Sequence, residues 1–301
     1  MKTLQIGSKV FPIKDYLCAG EDGVYIPKTD GKLWLYVNLT SRCNAHCPFC
    51  VNPAVRGGNQ SIDPSLFRQT LGKIKPFVDG VSITGGEPML FSELVDGAAE
   101  VITEELGQET RLELVTNGTN LHKIPQLKSI DRFTCIHISR HTADDERNRV
   151  LMGFAAPGIS EIRALNDALA DPGKIVFNCV LQKGGVETLN DAAGYLEMAA
   201  EAGVGNTSFV GLFPANDYCR GHYVSLALLD FGTDSRFKLW SGFRDHGYCR
   251  CGNGDYRGEN GHVRFYFRCP GKEKASYARQ LVYNHDNRLL DGFGGKEITF
   301  E

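Results

Sequence analysis

Short apolar strands alternate with amphipathic helices along most of this sequence, and that alternation limits the chain to an α/β fold. The first strand pattern is Leu33 to Leu39, and Asp63-Pro64 then opens a helical pattern. Later strand patterns lie at 80–84, 112–115, 133–139, 175–181 and 207–212, with helical patterns beginning at 92, 159 and 187. Strands separated by helices form parallel sheets with right-handed crossovers. We therefore predict a partial (β/α)6-type, TIM-like barrel.

The 301 residues provide more chain than six such units require. We expect an N-terminal segment of strands and turns over 1–31 and a core barrel over 32–215. A small C-terminal extension, 216–301, would be α/β or a β-hairpin and would cap the barrel. Its clearest strand pattern, Val263 to Phe267, follows a glycine-rich turn.

Composition excludes several classes of protein. An apolar content of 42% and a net charge of −3 exclude a disordered chain. The 33 Lys and Arg are outnumbered by 36 Asp and Glu, which disfavours a nucleic-acid partner. There is no apolar run near the ~20 residues that span a bilayer, and the first residues lack the pattern of a signal peptide. We expect a soluble, cytoplasmic protein.

Ten cysteines are the unusual feature of the composition. The cytosol keeps thiols reduced, so clustered cysteines there are metal ligands or catalytic groups more often than disulfides. Cys43, Cys47 and Cys50 lie within eight residues, just past the first barrel strand. The carboxyl ends of barrel strands form the reactive face of such folds. The three thiols are therefore placed where a site is expected.

The spacing C-x3-C-x2-C suits an iron–sulfur cluster. Three thiolates on one loop can hold three corners of a cubic cluster and leave one iron open, since protein clusters are normally held by Cys. A structural zinc site would need four closed ligands, and His46, between two of the thiols, is poorly placed to be the fourth. Three coincidental buried cysteines or a zinc knuckle are the alternatives.

Polar and glycine residues follow the other predicted strands. Gly85, Gly86, Glu87 and Pro88 come after the second strand. Single polar residues end later strands, namely Asn117, Ser139, Arg140 and Asn178. Glycines in such a turn allow close approach of the backbone. The single polar residues could equally cap the helices that follow them.

These two motifs on consecutive strands resemble those of the radical SAM superfamily, and the resemblance covers 32 to about 214. It implies that Cys43, Cys47 and Cys50 bind a [4Fe–4S] cluster. It also implies that the carbonyls of Gly85 to Pro88 and the Glu87 carboxylate hold the amino group of S-adenosylmethionine (SAM). The remaining cofactor contacts implied by the family are Phe49 beside the adenine, Ser139 and Arg140 near the ribose or carboxylate, and Asn117 and Asn178 lining the site.

The reaction implied by the resemblance is a one-electron cleavage of SAM. The 5′-deoxyadenosyl radical that results abstracts hydrogen from a small-molecule or peptide substrate. The family also implies a flavodoxin or ferredoxin as electron donor.

Cysteines of the C-terminal third leave two further interpretations open. Cys249, Cys251 and Cys269 could hold an auxiliary cluster or zinc, with Cys219 as a fourth ligand, or they could be incidental thiols. Cys219 follows the last barrel strand and could instead give a hydrogen atom to a substrate radical, or be an ordinary loop cysteine.

Two alternatives to a small-molecule enzyme therefore remain. One is a peptide maturase or epimerase with an auxiliary cluster and Cys219 as hydrogen donor. The other is a non-catalytic Fe–S or zinc sensor of redox state or metal. The Gly85–Pro88 turn favours an enzyme, because a sensor has no need of a pocket for an ammonium group.

Overall fold

The structure, a computed structural model, describes residues 2–13, 16–19, 25–27, 33–52, 58–213, 215–225, 229, 231–239, 254–258, 261–266 and 280–300. Two small antiparallel pairs come first in the chain. Strand β1 (Lys2–Ile6) pairs with β2 (Lys9–Ile13), and β3 (Tyr16–Ala19) pairs with β4 (Tyr25–Pro27).

Six parallel strands form the centre of the fold, and they confirm the predicted α/β architecture. They are β5 (Leu33–Asn38), β6 (Val78–Thr84), β7 (Arg111–Thr116), β8 (Cys135–Ser139), β9 (Ile175–Leu181) and β10 (Asn206–Gly211). Each pairs with the next in parallel register. All six therefore point their carboxyl ends toward one edge of the sheet.

Six α-helices lie in the described part of the chain, mostly as crossovers between these strands. They are α1 (Pro64–Ile74), α2 (Ser92–Leu106), α3 (Asp145–Met152), α4 (Ile159–Ala168), α5 (Leu189–Glu201) and α6 (Asp217–Gly221). Their ends follow local sequence signals: Asp63 caps α1 by accepting from the amides of Ser65 and Leu66. Thr188 and Asp191 form a capping box at α5. No described helix has the length and apolar character needed to cross a membrane.

The two faces of the central sheet differ in character. Side chains alternate between faces along a strand, and one set, which includes Leu35, Ile83 and Phe177, is fully buried in a core shared with the helices. The opposite face carries half-buried and polar groups such as Tyr36, Ser82, Glu113, His137 and Asn178. Because it turns away from the helices, we call it the open face.

The C-terminal region adds strands at both edges of the central sheet. These are β11 (Lys238–Leu239), β12 (Gly254–Gly258), β13 (Gly261–Tyr266), β14 (Gln280–Tyr283) and β15 (Leu289–Leu290). Strand β13 runs parallel to β10, and β14 runs parallel to β5. The described strands form an open sheet of eleven, in the order β11-β12-β13-β10-β9-β8-β7-β6-β5-β14-β15. The domain boundary at 215/216 and the capping role of 216–301 stay predictions.

Candidate functional site

The three clustered cysteines lie on the loop that leaves β5, residues 40–50, which we call the cysteine loop. Cys43, Cys47 and Cys50 are half-buried and not disulfide-bonded. The loop is irregular, so its shape depends on contacts with neighbouring elements. Three such contacts hold it from three directions.

The first contact is with the end of α3. The amide of His46 donates to the Met152 carbonyl at 2.9 Å, and the Cys47 thiol lies 3.5 Å from the same oxygen. Gly153 ends the helix in the left-handed region at φ +64, and a Cβ there would lie 2.9 Å from the His46 Cβ. A glycine at this position therefore lets the loop approach the helix closely.

The second contact comes from Asn216, before α6. Its Nδ2 donates to the Pro48 carbonyl at 2.9 Å, while its Oδ1 accepts from the Cys219 amide and caps the helix. Behind this bond, Phe49, Leu212 and Cys219 form a small buried apolar cluster against which Cys47 packs. One amide side chain thus ties α6 to the cysteine loop.

The third contact is the glycine turn, residues 85–88. The amides of Gly86 and Glu87 donate to the carbonyls of Thr40 and Arg42, both at 2.8 Å. A Cβ on Gly86 would lie 2.0 Å from the Arg42 carbonyl oxygen. Gly85 has φ +123, and its Cβ would lie 2.8 Å from the Leu39 amide. Both glycines are therefore required for the turn to lie against the cysteine loop.

Glu87 is buried at the centre of the site. Its exposed fraction is 1%, and its carboxylate accepts from the Met89 amide, the Thr116 hydroxyl and the Asn117 amide at 2.6–2.8 Å. Burial raises the pKa of Glu87 to about 7, against the hydrogen bonds from these donors, which lower it. Glu87 therefore joins the glycine turn to the end of β7. A direct contact with SAM stays a prediction.

Asn117 connects β7 to the cysteine loop. Its Nδ2 lies 3.0 Å from the Asn44 Oδ1 and 4.0 Å from the Cys43 Sγ. Its Oδ1 accepts from the amide and hydroxyl of Thr119. The structure thus places this predicted site residue beside a predicted cluster ligand.

Ser139 and Arg140 end β8 but reach different surroundings. Ser139 alternates with Cys135 and His137 and so faces the open side of the sheet. The Arg140 guanidinium is 1% exposed and contacts the Ala143 carbonyl and Asp145 at 2.7 and 2.6 Å. These contacts favour a structural role for Arg140, and its predicted contact with SAM remains untested.

Asn178 and Phe49 complete the predicted set of cofactor residues. Asn178 is half-buried on the open face of β9, in register with Ser139. Phe49 is mostly buried and meets His141 edge-on at 4.7 Å between ring centroids. Burial lowers the pKa of His141 to about 3, so this imidazole is neutral at physiological pH.

The donor set fits a cubic iron–sulfur cluster better than one metal ion. Thiolates sharing a tetrahedral ion at about 2.3 Å would lie about 3.8 Å apart. Among the described residues, the thiols of the cysteine loop do not belong to a group of three His, Cys, Asp or Glu whose ligand atoms all lie within 4.8 Å of one another. Three separated thiols instead suit a cluster in which each binds a different iron.

The glycine turn also suits an ammonium group. Gly85 and Gly86 are half-buried, and no described residue donates a hydrogen bond to either of their carbonyl oxygens. Carbonyl oxygens that accept from no described residue, beside a buried carboxylate, are acceptors for the three donors of a cationic amine. The turn therefore presents this chemistry next to the cysteine loop.

Sequence reasoning missed residues that shape the site without belonging to a motif. Asn216 and Thr116 are examples: each is a polar residue at the edge of an element. Their partners, Pro48 and Glu87, lie 168 and 29 residues away, so no local pattern reveals the contacts. Cys249, Cys251 and Cys269 lie outside the described residues, and Cys219, 1% exposed, packs behind the cysteine loop.

Comparison with known proteins gives one family. A sequence model described as the radical SAM superfamily matches residues 37–184. A probable GTP 3′,8-cyclase of Thermoplasma volcanium is 29% identical over 175 residues, which are 56% of this chain and 51% of that protein. Another, from Halobacterium salinarum, is 34% identical over 28% of this chain and 25% of its own length. The chain thus spans about half of the first relative and a quarter of the second.

Solved structures share the fold at low identity. Streptococcus suis SuiB, bound to its precursor peptide SuiA, has a TM-score of 0.59 and 16% identity, covering 87% of this chain and 60% of that one. A radical SAM methyltransferase from Sphaerobacter thermophilus has a TM-score of 0.56 and 13% identity, covering 83% and 71%. These likenesses concern the fold alone.

Proposed function

Because this chain belongs to the radical SAM superfamily of enzymes, we propose that it cleaves SAM reductively and acts on a small-molecule or peptide substrate. Cys43, Cys47 and Cys50 would hold a [4Fe–4S] cluster. The Gly85 and Gly86 carbonyls would receive the amino group of SAM. When bound, the cluster and SAM supply a 5′-deoxyadenosyl radical that abstracts a hydrogen atom from substrate.

One observation carries this proposal. The amides of Gly86 and Glu87 bond to the carbonyls of Thr40 and Arg42, so the glycine turn lies directly against the cysteine loop. An ammonium on the turn and a metal on the loop would then be neighbours. A zinc knuckle or a buried thiol cluster would have no use for this turn.

The residues around the loop have separate tasks in the proposed mechanism. Asn216, Met152 and the glycine turn fix the loop, while Phe49 and Leu212 exclude water from one side. Asn117, within 4.0 Å of Cys43 Sγ, can donate to a thiolate and favour its charged form. Ser139 and Asn178, on the open face, would meet the cofactor or the substrate. The exposed side chains of Asn44 and His46 leave the outer side of the loop accessible to a flavodoxin or ferredoxin donor.

The test is anaerobic reconstitution followed by measurement of iron, sulfide and 5′-deoxyadenosine. We expect the triple variant Cys43→Ala, Cys47→Ala, Cys50→Ala to form no 5′-deoxyadenosine. Cys179→Ala is the matched control, because that thiol is buried on the helix side of β9; it should keep iron and SAM cleavage. Formation of 5′-deoxyadenosine by the triple variant would overturn the proposal.

A peptide epimerase or maturase is a second candidate function. The observation that favours it is the position of Cys219, which packs against Phe49 and Cys47 of the cysteine loop. In that role its S–H group would give a hydrogen atom to a substrate radical. With a candidate peptide in D2O, Cys219→Ala should still form 5′-deoxyadenosine but lose deuterium incorporation. Unchanged incorporation would exclude this role.

Iron content also decides whether the C-terminal cysteines hold an auxiliary cluster. If they do, the triple variant retains about four irons per chain, since one cubic cluster would remain. If it retains none, Cys249, Cys251 and Cys269 hold no cluster, and the substrate meets the barrel site alone.

A further inference from the structure

A second group of metal-ligand side chains lies on the open face, apart from the cysteine loop. Glu113 on β7 and Cys135 and His137 on β8 have ligand atoms that all lie within 4.8 Å of one another. Among the described residues, these three are the group of His, Cys, Asp or Glu whose ligand atoms lie that close together. All three side chains are half-buried, so an ion could reach them.

Both separations that involve His137 match those of ligands around a single tetrahedral ion, and the third lies within 4.8 Å. Nε2 of His137 lies 3.3 Å from the Glu113 Oε2 and 3.3 Å from the Cys135 Sγ. Nitrogen, oxygen and sulfur ligands at about 2.0–2.3 Å from one tetrahedral ion lie about 3.3–3.8 Å apart. The side chains would need only small movements to bind an ion between them.

Neighbouring residues orient the Glu113 carboxylate. The Trp34 indole donates to the Ser82 hydroxyl at 2.8 Å, and that hydroxyl donates to the Glu113 Oε2 at 3.2 Å. The Trp34 ring lies close against Gly80, where a Cβ would be only 2.3 Å from it. Outer hydrogen bonds of this kind fix the ligands of metal sites.

We propose that Glu113, Cys135 and His137 form a site for one divalent ion of the zinc class. The mixed sulfur, nitrogen and oxygen set suits Zn²⁺. Three protein ligands leave the fourth position to water or to an oxygen or nitrogen donor of a substrate. This ion would be separate from any cluster on the cysteine loop.

The site is placed to meet a molecule bound near the cysteine loop. Cys135, His137 and Ser139 are alternate residues of β8, so they share one face of the sheet. Glu113 lies on the same face of the neighbouring strand β7, which leads to Asn117. Ser139 lies two positions beyond His137 along the strand, or about 7 Å away. A substrate on the open face could therefore touch both the ion and the proposed cofactor.

The competing explanation is a hydrogen-bonded ion pair without metal. Arg111 lies 3.2 Å from the Glu113 Oε1 and could neutralise the carboxylate. It leaves the Oε2 facing His137, and it gives no reason for a thiol 3.3 Å from the same imidazole. The thiol is the group that distinguishes a metal site from an ion pair.

The experiment titrates the full chain with Zn²⁺ alone and with Co²⁺ alone, in the triple cysteine-loop variant. That background removes the competing thiols at 43, 47 and 50. In this background, Cys135→Ser should lose one equivalent of bound metal or bind that metal more than about 100-fold more weakly. A loss of that size exceeds the usual effect of removing a residue that only hydrogen-bonds to a metal ligand. The thiolate-to-Co²⁺ charge-transfer absorption should fall with it.

Cys179→Ala in the same background is the control, since its thiol lies on the neighbouring strand but faces the helices. It should leave stoichiometry and absorption unchanged. If Cys135→Ser does not fold, as judged by circular dichroism, His137→Gln replaces it, with the same expected loss. A folded variant of either kind with unchanged metal stoichiometry and absorption would overturn the proposal. Metal binding is independent of SAM cleavage, so failure here leaves the proposed function intact.

Discussion

Glu87 joins two elements of the site through its carboxylate. Its motif position predicts contact with a cofactor, and the carboxylate also accepts hydrogen bonds from the Met89 amide, the Thr116 hydroxyl and the Asn117 amide. Thr116 and Asn117 belong to the end of the next strand, 29 and 30 residues away, so the sequence could not reveal this role. The motif itself was predictable, because its four residues are contiguous.

The pH dependence of stability should reveal the buried Glu87. Its pKa is raised by burial from 4.5 to about 7, so the folded state holds a proton that the unfolded state releases between these values. The stabilisation is complete below about pH 4.5 and is lost as pH rises through 7. One proton gives a slope of up to about 1.4 kcal/mol per pH unit.

Denaturant unfolding of wild type and Glu87→Gln over about pH 4.5–8 measures this slope. Gln does not titrate, so the variant should lack that component of the pH dependence. Glu100→Gln, which replaces an exposed carboxylate on α2, is the matched control and should retain it. Equal slopes in wild type and Glu87→Gln would contradict the assignment.

Gly86→Ala tests the close approach of the glycine turn. A Cβ would lie 2.0 Å from the Arg42 carbonyl oxygen, so the turn must move away from the cysteine loop. We expect at least a tenfold drop in 5′-deoxyadenosine formation. Gly97→Ala, in α2, is the matched control: a Cβ there meets nothing within 4 Å, and it should stabilise the helix by about 1 kcal/mol. Equal activity in the two variants would refute the prediction.

At the scale of elements, the cysteine loop is held by α3, by α6 and by the glycine turn. The strands and helices of the barrel were predictable because their apolar periods are local. The apolar periodicity of helix α3 and of the short α6 is weaker. Their contacts with the loop depend on single groups such as Asn216. Anchors of this kind form only after the chain has folded.

Asn216→Asp separates the two bonds of this anchor. Asp can still cap α6 by accepting from the Cys219 amide, but it cannot donate to the Pro48 carbonyl. We expect near-normal global stability with faster loss of iron on exposure to chelator. Thr188→Ala is the matched control, because it removes the cap of α5, at about 1 kcal/mol, without touching the loop. The Thr188→Ala variant should lose iron at the wild-type rate. If Asn216→Asp loses iron at that rate or more slowly, the result would be evidence against the anchor.

For the whole molecule, binding at the cysteine loop should couple to unfolding. A ligand that binds only the folded state stabilises it, so removing iron should lower the melting temperature of wild type. The shift would be roughly 2–4 °C for each kcal/mol of coupling. If the triple cysteine-loop variant retains no iron, it should melt near cluster-free wild type and should not respond to iron removal. Anaerobic calorimetry measures the melting temperatures of wild type and the variant with and without iron. A wild-type melting temperature that does not change when iron is removed would contradict the expectation.

The strands added by the C-terminal region were the part of the architecture least visible in sequence. The strand pattern near Val263 is local and can be seen in the sequence. The pairing of β13 with β10 and of β14 with β5 joins distant parts of the chain and cannot. Strands β5 and β14 are separated by more than 240 residues of sequence. Only the assembled sheet determines which edge each strand joins.

This arrangement bears on how the protein is made on the ribosome. Strand β5 emerges early, yet its outer edge has no partner until β14 follows, so for most of synthesis it exposes unpaired amides and carbonyls of the kind that promote aggregation. Once the chain is complete, the described sheet ends in β11 and β15, each of two residues. Such short borders offer little template to another molecule, so nascent chains, rather than finished ones, are where chaperone assistance would matter most.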